Sequence, residues 1–123
     1  MRTAYGTQQL LNAGYDGTGK TIVIIDAYGS PTAADDLALF DFVWGLPDAN
    51  FAQVAPFGID PTDPNNADGW AGETSLDVQW AHAIAPGAKI QLVIAKSNND
   101  ADILDATQYA VDNNVGDIVS QSL

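Results

Sequence analysis

Cysteine is absent from the 123-residue chain, which excludes disulfide staples and thiolate metal centres. A single histidine, His82, argues against a histidine-based metal site. Basic residues are also scarce: four stand against sixteen acids, for a net charge of -12 at pH 7. That charge repels nucleic acid and anionic membranes and argues against both as partners. It suits a protein that works in acid, where partly protonated carboxylates repel each other less, and it equally suits a plain acidic surface. No apolar run approaches the roughly 20 residues that a membrane span needs. Met1-Arg2 leads into polar sequence, so no signal peptide is visible, and an export signal would lie outside this chain. Internal repeats, low-complexity stretches and linkers are missing too. With 46% hydrophobic residues the chain reads as ordered and long enough to bury a core, and residues 1–123 read as one portion of a larger domain.

What is present alternates between two periodicities. "TIVIIDAYG" (Thr21–Gly29) is a compact β-branched run of the kind buried on both faces of a sheet. "SPTAADDLALFDFVWGLP" carries a helix signature, with Ser30 as N-cap, Pro31 at the first turn, and Gly45 and Pro47 as the stop. "NFAQVAPFG" reads as a strand, and "IDPTDPNNADGWAG", rich in Pro, Asn, Asp and Gly, reads as a loop. "ETSLDVQWAHAIA" is helical, "AKIQLVIAKS" a strand, "NDADILDATQYAVDNN" a capped helix, and "GDIVSQSL" opens another strand. Strands alternating with helices predict an α/β fold, a parallel sheet flanked by helices. The pattern breaks off in or just after a strand, so the sheet is expected to be incomplete. An open edge of this kind invites self-association into a homo-oligomer.

One motif tempts a nucleotide reading. "GYDGTGKT" (Gly14–Thr21) fits the phosphate-cradling pattern G-x-x-x-x-G-K-[ST]. That loop needs a strand before it and a helix after it, so that a helix N-terminus faces the phosphates. Here "TQQLLNA" precedes it and "IVIID" follows, the reverse order. A tight glycine turn feeding the first strand is the expectation instead.

The stretch "GWAGETSLDVQWAHAIAPGAKI" (Gly69–Ile90) is more informative. At about 100° per residue, Glu73 and Asp77 lie roughly 40° apart on a helix, with Trp80 and Ile84 within about 20° of Glu73. Like charges one turn apart disfavour the helix, and burial beside apolar groups raises the cost of ionising both. Such a pair is expected to share a proton, the arrangement of an acid–base dyad tuned for low pH. The same spacing also fits an exposed pair near a helix N-terminus, where the macrodipole favours acids. His82 lies roughly 180° from Glu73 and is expected to be structural or solvent-facing.

These residues resemble the acidic-dyad region of the sedolisins, the serine-carboxyl peptidases of subtilisin-like fold that cut peptide bonds at acid pH. The shared pattern is a Glu, three residues, an Asp in an "LDV" setting, and then a helix ending in A-P-G-A. "GTGKTIVIIDAYGSP", "DLALFDFVWGLP" and "DIVSQSL" resemble the family's first half in order, so the likeness spans essentially the whole chain. The resemblance implies that Glu73 is the general base for a serine hydroxyl and that Asp77 orients it. Ser122 and Leu123 would belong to the edge strand that pairs with an extended peptide substrate. It implies a secreted protein, and a peptide or protein substrate once a downstream segment completes the domain.

The departures are as informative. The family's nucleophile lies in an S-G-T-S segment that these 123 residues lack, and Ser75, Ser97 and Ser120 stand in other contexts. The family's oxyanion aspartate and calcium site would lie beyond Leu123, so no cofactor or metal is expected within this chain. The chain alone is therefore expected to be inactive. A subtilisin-type reading would pair Asp26 with a histidine and a later serine, but the H-G-T-H context is missing. Asp26 stays a second-tier candidate because strand C-termini line the clefts of open α/β sheets. The alternative to a peptidase half is a non-catalytic module that binds or self-associates through its open edge.

Overall fold

Five of the seven residues from Thr21 to Ala27 are β-branched, a run that suits a pleated surface covered on both sides. In the computed structural model, which describes residues 1–122, this run is strand β1 (Thr21–Ala27) at the centre of the sheet. The other elements are α1 (Thr7–Asn12), α2 (Ala33–Trp44), β2 (Asn50–Val54), α3 (Pro64–Ile84), β3 (Lys89–Ala95), α4 (Asp100–Asp112) and β4 (Ile118–Gln121). The four strands form one all-parallel sheet in the order β2-β3-β1-β4. Leu123, named with Ser122 as a substrate contact, lies outside the described residues.

Side chains of β1 alternate between two cores. Val23, Ile25 and Ala27 join Val93 and Ala95 against Ile103, Ala106 and Ala110 of α4. Ile24 joins Ile90, Leu92 and Ile94 against Leu37 of α2 and Val78 of α3. Helices thus cover both faces, as the alternating pattern predicts. The first half of α3 reaches further: Ala67 and Trp70 pack onto the cluster that holds Ala27 and Ala95, the last residues of β1 and β3. That crossing carries α3 over the C-terminal end of the sheet. Among the described residues strand β4 pairs only with β1, and all four of its residues are exposed.

Two boundaries differ from expectation. Composition predicts a loop from Ile59 to Gly72, yet α3 begins at Pro64. Asp63 is its N-cap and accepts from the Asn66 amide at 3.2 Å, and Pro64 fills the first turn, so loop-forming residue types here start a helix. The N-cap of α2 is Thr32, not Ser30. Ser30 is buried, because Tyr28 (φ 58) and Gly29 (φ 65) turn the chain sharply after β1 and delay the helix start. The glycine-rich stretch before β1 is a turn, as expected. Gly17 has φ +87, and a Cβ there would stand 2.9 Å from that of Ala88, so only glycine fits.

Candidate active site

The parity of β1 decides what Asp26 faces. Ile22, Ile24 and Asp26 share one side, the side that α3 covers, and Asp26 sits near the strand's C-terminal end. Its side chain is 0% exposed and neither oxygen makes a hydrogen bond. Above it lie Glu73, Thr74 and Asp77 of α3, all three of which act on its ionisation. Burial pushes the Asp26 carboxyl up to about 7, and the charges of Asp77 and then Glu73 push in the same direction. The Thr74 hydroxyl opposes them. Thr74 is itself 0% exposed, and its hydroxyl lacks a well-formed hydrogen bond, as does the shielded Oδ2 of Asp77.

The structure therefore gathers three carboxyls, two from the helix and one from a strand 47 residues earlier in the chain. Glu73 and Asp77 are half-buried, one turn apart, as the spacing required. The sequence points to proton sharing within that pair, but the deepest burial and the raised pKa fall on Asp26. Among the described residues no group of three or more histidines or acids is arranged to hold a metal ion.

Beside this cluster lies a cavity of about 350 Å³ lined by Asn66, Gly69, Trp70, Glu73 and Ser122. Four of these are on one face of α3, and Ser122 follows directly on β4. The structure thus brings Ser122 to Glu73 across the end of the sheet. Trp70 is an addition to the residues expected at the site, and its signal is simple: it precedes Glu73 by three residues and so shares its face. The indole expected near Glu73 was that of Trp80, which instead packs edge-on against Tyr5 at 6.3 Å, beside a second cavity walled by Phe40 and Trp44.

The remaining candidates are elsewhere. His82 is fully buried, with Nε2 3.0 Å from the Pro47 carbonyl and 3.2 Å from Asp41 Oδ1. It ties α3 to α2 and to the loop after α2, so of the two expectations, structural or solvent-facing, the structure shows the first. Burial raises the Asp41 carboxyl, and His82 works against that rise. Ser97 is buried against Asp102 and Asn99, and Ser120 is exposed on β4.

No family model matches this chain. In an alignment of 104 residues that covers 80% of this chain, it is 38% identical to kumamolisin from Bacillus sp. (strain MN-32). It spans 17% of that relative. Its fold is similar to that of Pseudomonas sedolisin, a serine-carboxyl proteinase solved in complex with two molecules of pseudo-iodotyrostatin. That likeness has a TM-score of 0.72 at 25% identity, over 91% of this chain and 32% of the other.

Proposed function

From the premise that this chain belongs to the sedolisin family, we propose that it supplies the acid–base part of an acid-acting serine-type endopeptidase. Glu73 is the general base: it takes the proton of a serine hydroxyl as that oxygen attacks a peptide carbonyl, then returns it to the leaving amine. Asp77 orients Glu73, the part an aspartate plays for histidine in the Ser-His-Asp arrangement. A carboxylate base stays ionised at an acidity that would leave imidazole fully protonated. Asp26, held up to about 7, is a neutral acid throughout that range and offers its proton to the adjoining carboxylates.

The single observation that carries this reading is the convergence of Asp26 with Glu73 and Asp77 next to a cavity that Ser122 also lines. The substrate is a peptide or protein whose backbone lies along the edge of β4 and past Ser122. The setting is extracellular, by likeness to the family. The nucleophile comes from outside these 123 residues, so the chain by itself is inactive. The net charge of -12 disfavours nucleic acid and anionic membranes as partners.

The test is a chimera in which residues 1–122 replace the matching segment of kumamolisin. We expect protein cleavage in acid, reduced roughly 10²- to 10⁴-fold by Glu73→Gln, the usual contribution of a general base. A folded chimera whose activity is untouched by that substitution would overturn the assignment. A second reading, a self-associating module, is favoured by the edge strand, where Ile118 and Val119 are 55% and 45% exposed.

A further inference from the structure

Sixteen residues of this chain are acids, yet among the described residues none lines the second cavity, between residues 1–5, α2 and the end of α3. Its volume of about 770 Å³ is in the range of small-molecule sites. Four aromatic side chains wall it, those of Tyr5, Phe40, Trp44 and Trp80, and its one charged side chain is that of Arg2. Ala83, which also lines it, is ten residues along α3 from Glu73, about 15 Å at the rise of a helix. The cavity is thus separate from the candidate active site. Arg2 Nε donates to the Ala83 carbonyl at 2.7 Å, one of the last carbonyls that α3 leaves free. That bond fixes the guanidinium and caps the helix, but it does not neutralise the charge. Nη2 is shielded and unpartnered, and the ion pairs of the described residues involve Lys20 and His82 but not Arg2.

We propose that this cavity binds a small aromatic carboxylate, its ring among Tyr5, Trp44 and Trp80 and its carboxylate accepting from the Arg2 N–H groups that Ala83 leaves free. Charge complementarity selects the anion: a guanidinium answered only by a neutral carbonyl gains most from a carboxylate, whose two oxygens match its planar donors. The aromatic walls select the body, because flat rings pack edge to face against one another. Tyr5 and Trp80 already meet in that way, at an interplanar angle of 77°. The net charge of -12 repels large polyanions, so the anion that Arg2 holds is small and singly charged. Neither Glu73 nor a serine nucleophile takes part, so the site is independent of the peptidase reading above.

The experiment is a ¹⁹F NMR titration of the full chain at pH 7 with 3-(4-fluorophenyl)propionate, run beside the corresponding uncharged amide. Two of the three tryptophans line the cavity, so quenching of their fluorescence gives a second reading. The acid is expected to bind saturably, and the amide about ten-fold more weakly or worse, for want of the charge-assisted bond. Arg2→Met keeps the aliphatic stem and should bring the acid down to the affinity of the amide. Trp80→Ala removes a wall and should weaken both probes, which keeps the test decisive if the methionine variant does not fold. Equal affinities for acid and amide, no saturation at millimolar probe, or an acid affinity that either substitution leaves unchanged overturns the proposal. Sedimentation of the same samples tests the other occupant: a dimer that Trp80→Ala dissociates would assign the cavity to a second copy of the chain and overturn the ligand.

Discussion

Asp26 combines complete burial with two acidic neighbours, and its carboxyl is raised from 3.8 to about 7. The unfolded chain releases this proton near pH 4, while the folded chain keeps it until near pH 7. The stability that this group contributes is thus fully present below about pH 4, declines as pH rises between 4 and 7, and is gone above that window. Asp26→Asn, neutral at every pH, should abolish this part of the decline. Thermal melting of the two proteins from pH 4 to pH 8 checks it, and parallel pH profiles would contradict it. The spacing of Glu73 and Asp77 was legible because a helix fixes the angle between residues four apart. The part played by Asp26 was not, because it depends on strand parity and on how α3 crosses the sheet, neither of which is local to the sequence.

Among the elements, α3 shows most clearly where composition misleads. Asn, Asp, Gly and Pro between Ile59 and Gly72 suggest a loop, yet Asp63-Pro64 is an N-cap followed by a first-turn proline. The positions of these residues mattered more than their types. Two glycines then lie within the helix, and a Cβ at Gly72 would meet nothing within 4 Å. Gly72→Ala should therefore stabilise the chain by roughly 0.5–1 kcal/mol through lost backbone freedom in the unfolded state. Gly17→Ala should do the reverse by about 1–2 kcal/mol, since its left-handed backbone penalises any side chain and Ala88 occupies the space. Urea unfolding midpoints that shift in opposite directions are the expected result. Strand β1, by contrast, was legible outright: a largely β-branched apolar run seven residues long has few other uses.

For the whole molecule, alternating strands and helices identified a parallel sheet, but not the order β2-β3-β1-β4, which is set by three-dimensional packing. That order leaves β4 at the edge with no charged residue between Ile118 and Gln121, and its one flanking acid, Asp117, is paired with Lys20 at 3.2 Å. Charge repulsion between copies is then the main defence of this edge, and it vanishes near the isoelectric point of about 4.1. We expect sedimentation to show monomers at pH 7 and association near pH 4. Val119→Lys should reverse the association, and Phe42→Lys, at an 85% exposed site on α2, should not. Association unaffected by Val119→Lys would clear the edge of responsibility. The central place of β1 has another consequence, for synthesis. Thr21 pairs with Lys89, 68 residues later, and Ile22 with Ile118, 96 residues later. At roughly 5–20 residues per second, a ribosome leaves this most apolar strand without its first central partner for about 3–14 s. A nascent chain paused before Lys89 would hold Val23, Ile24 and Ile25 open to any passing chaperone, and translation through Ala95 would provide their first native neighbour.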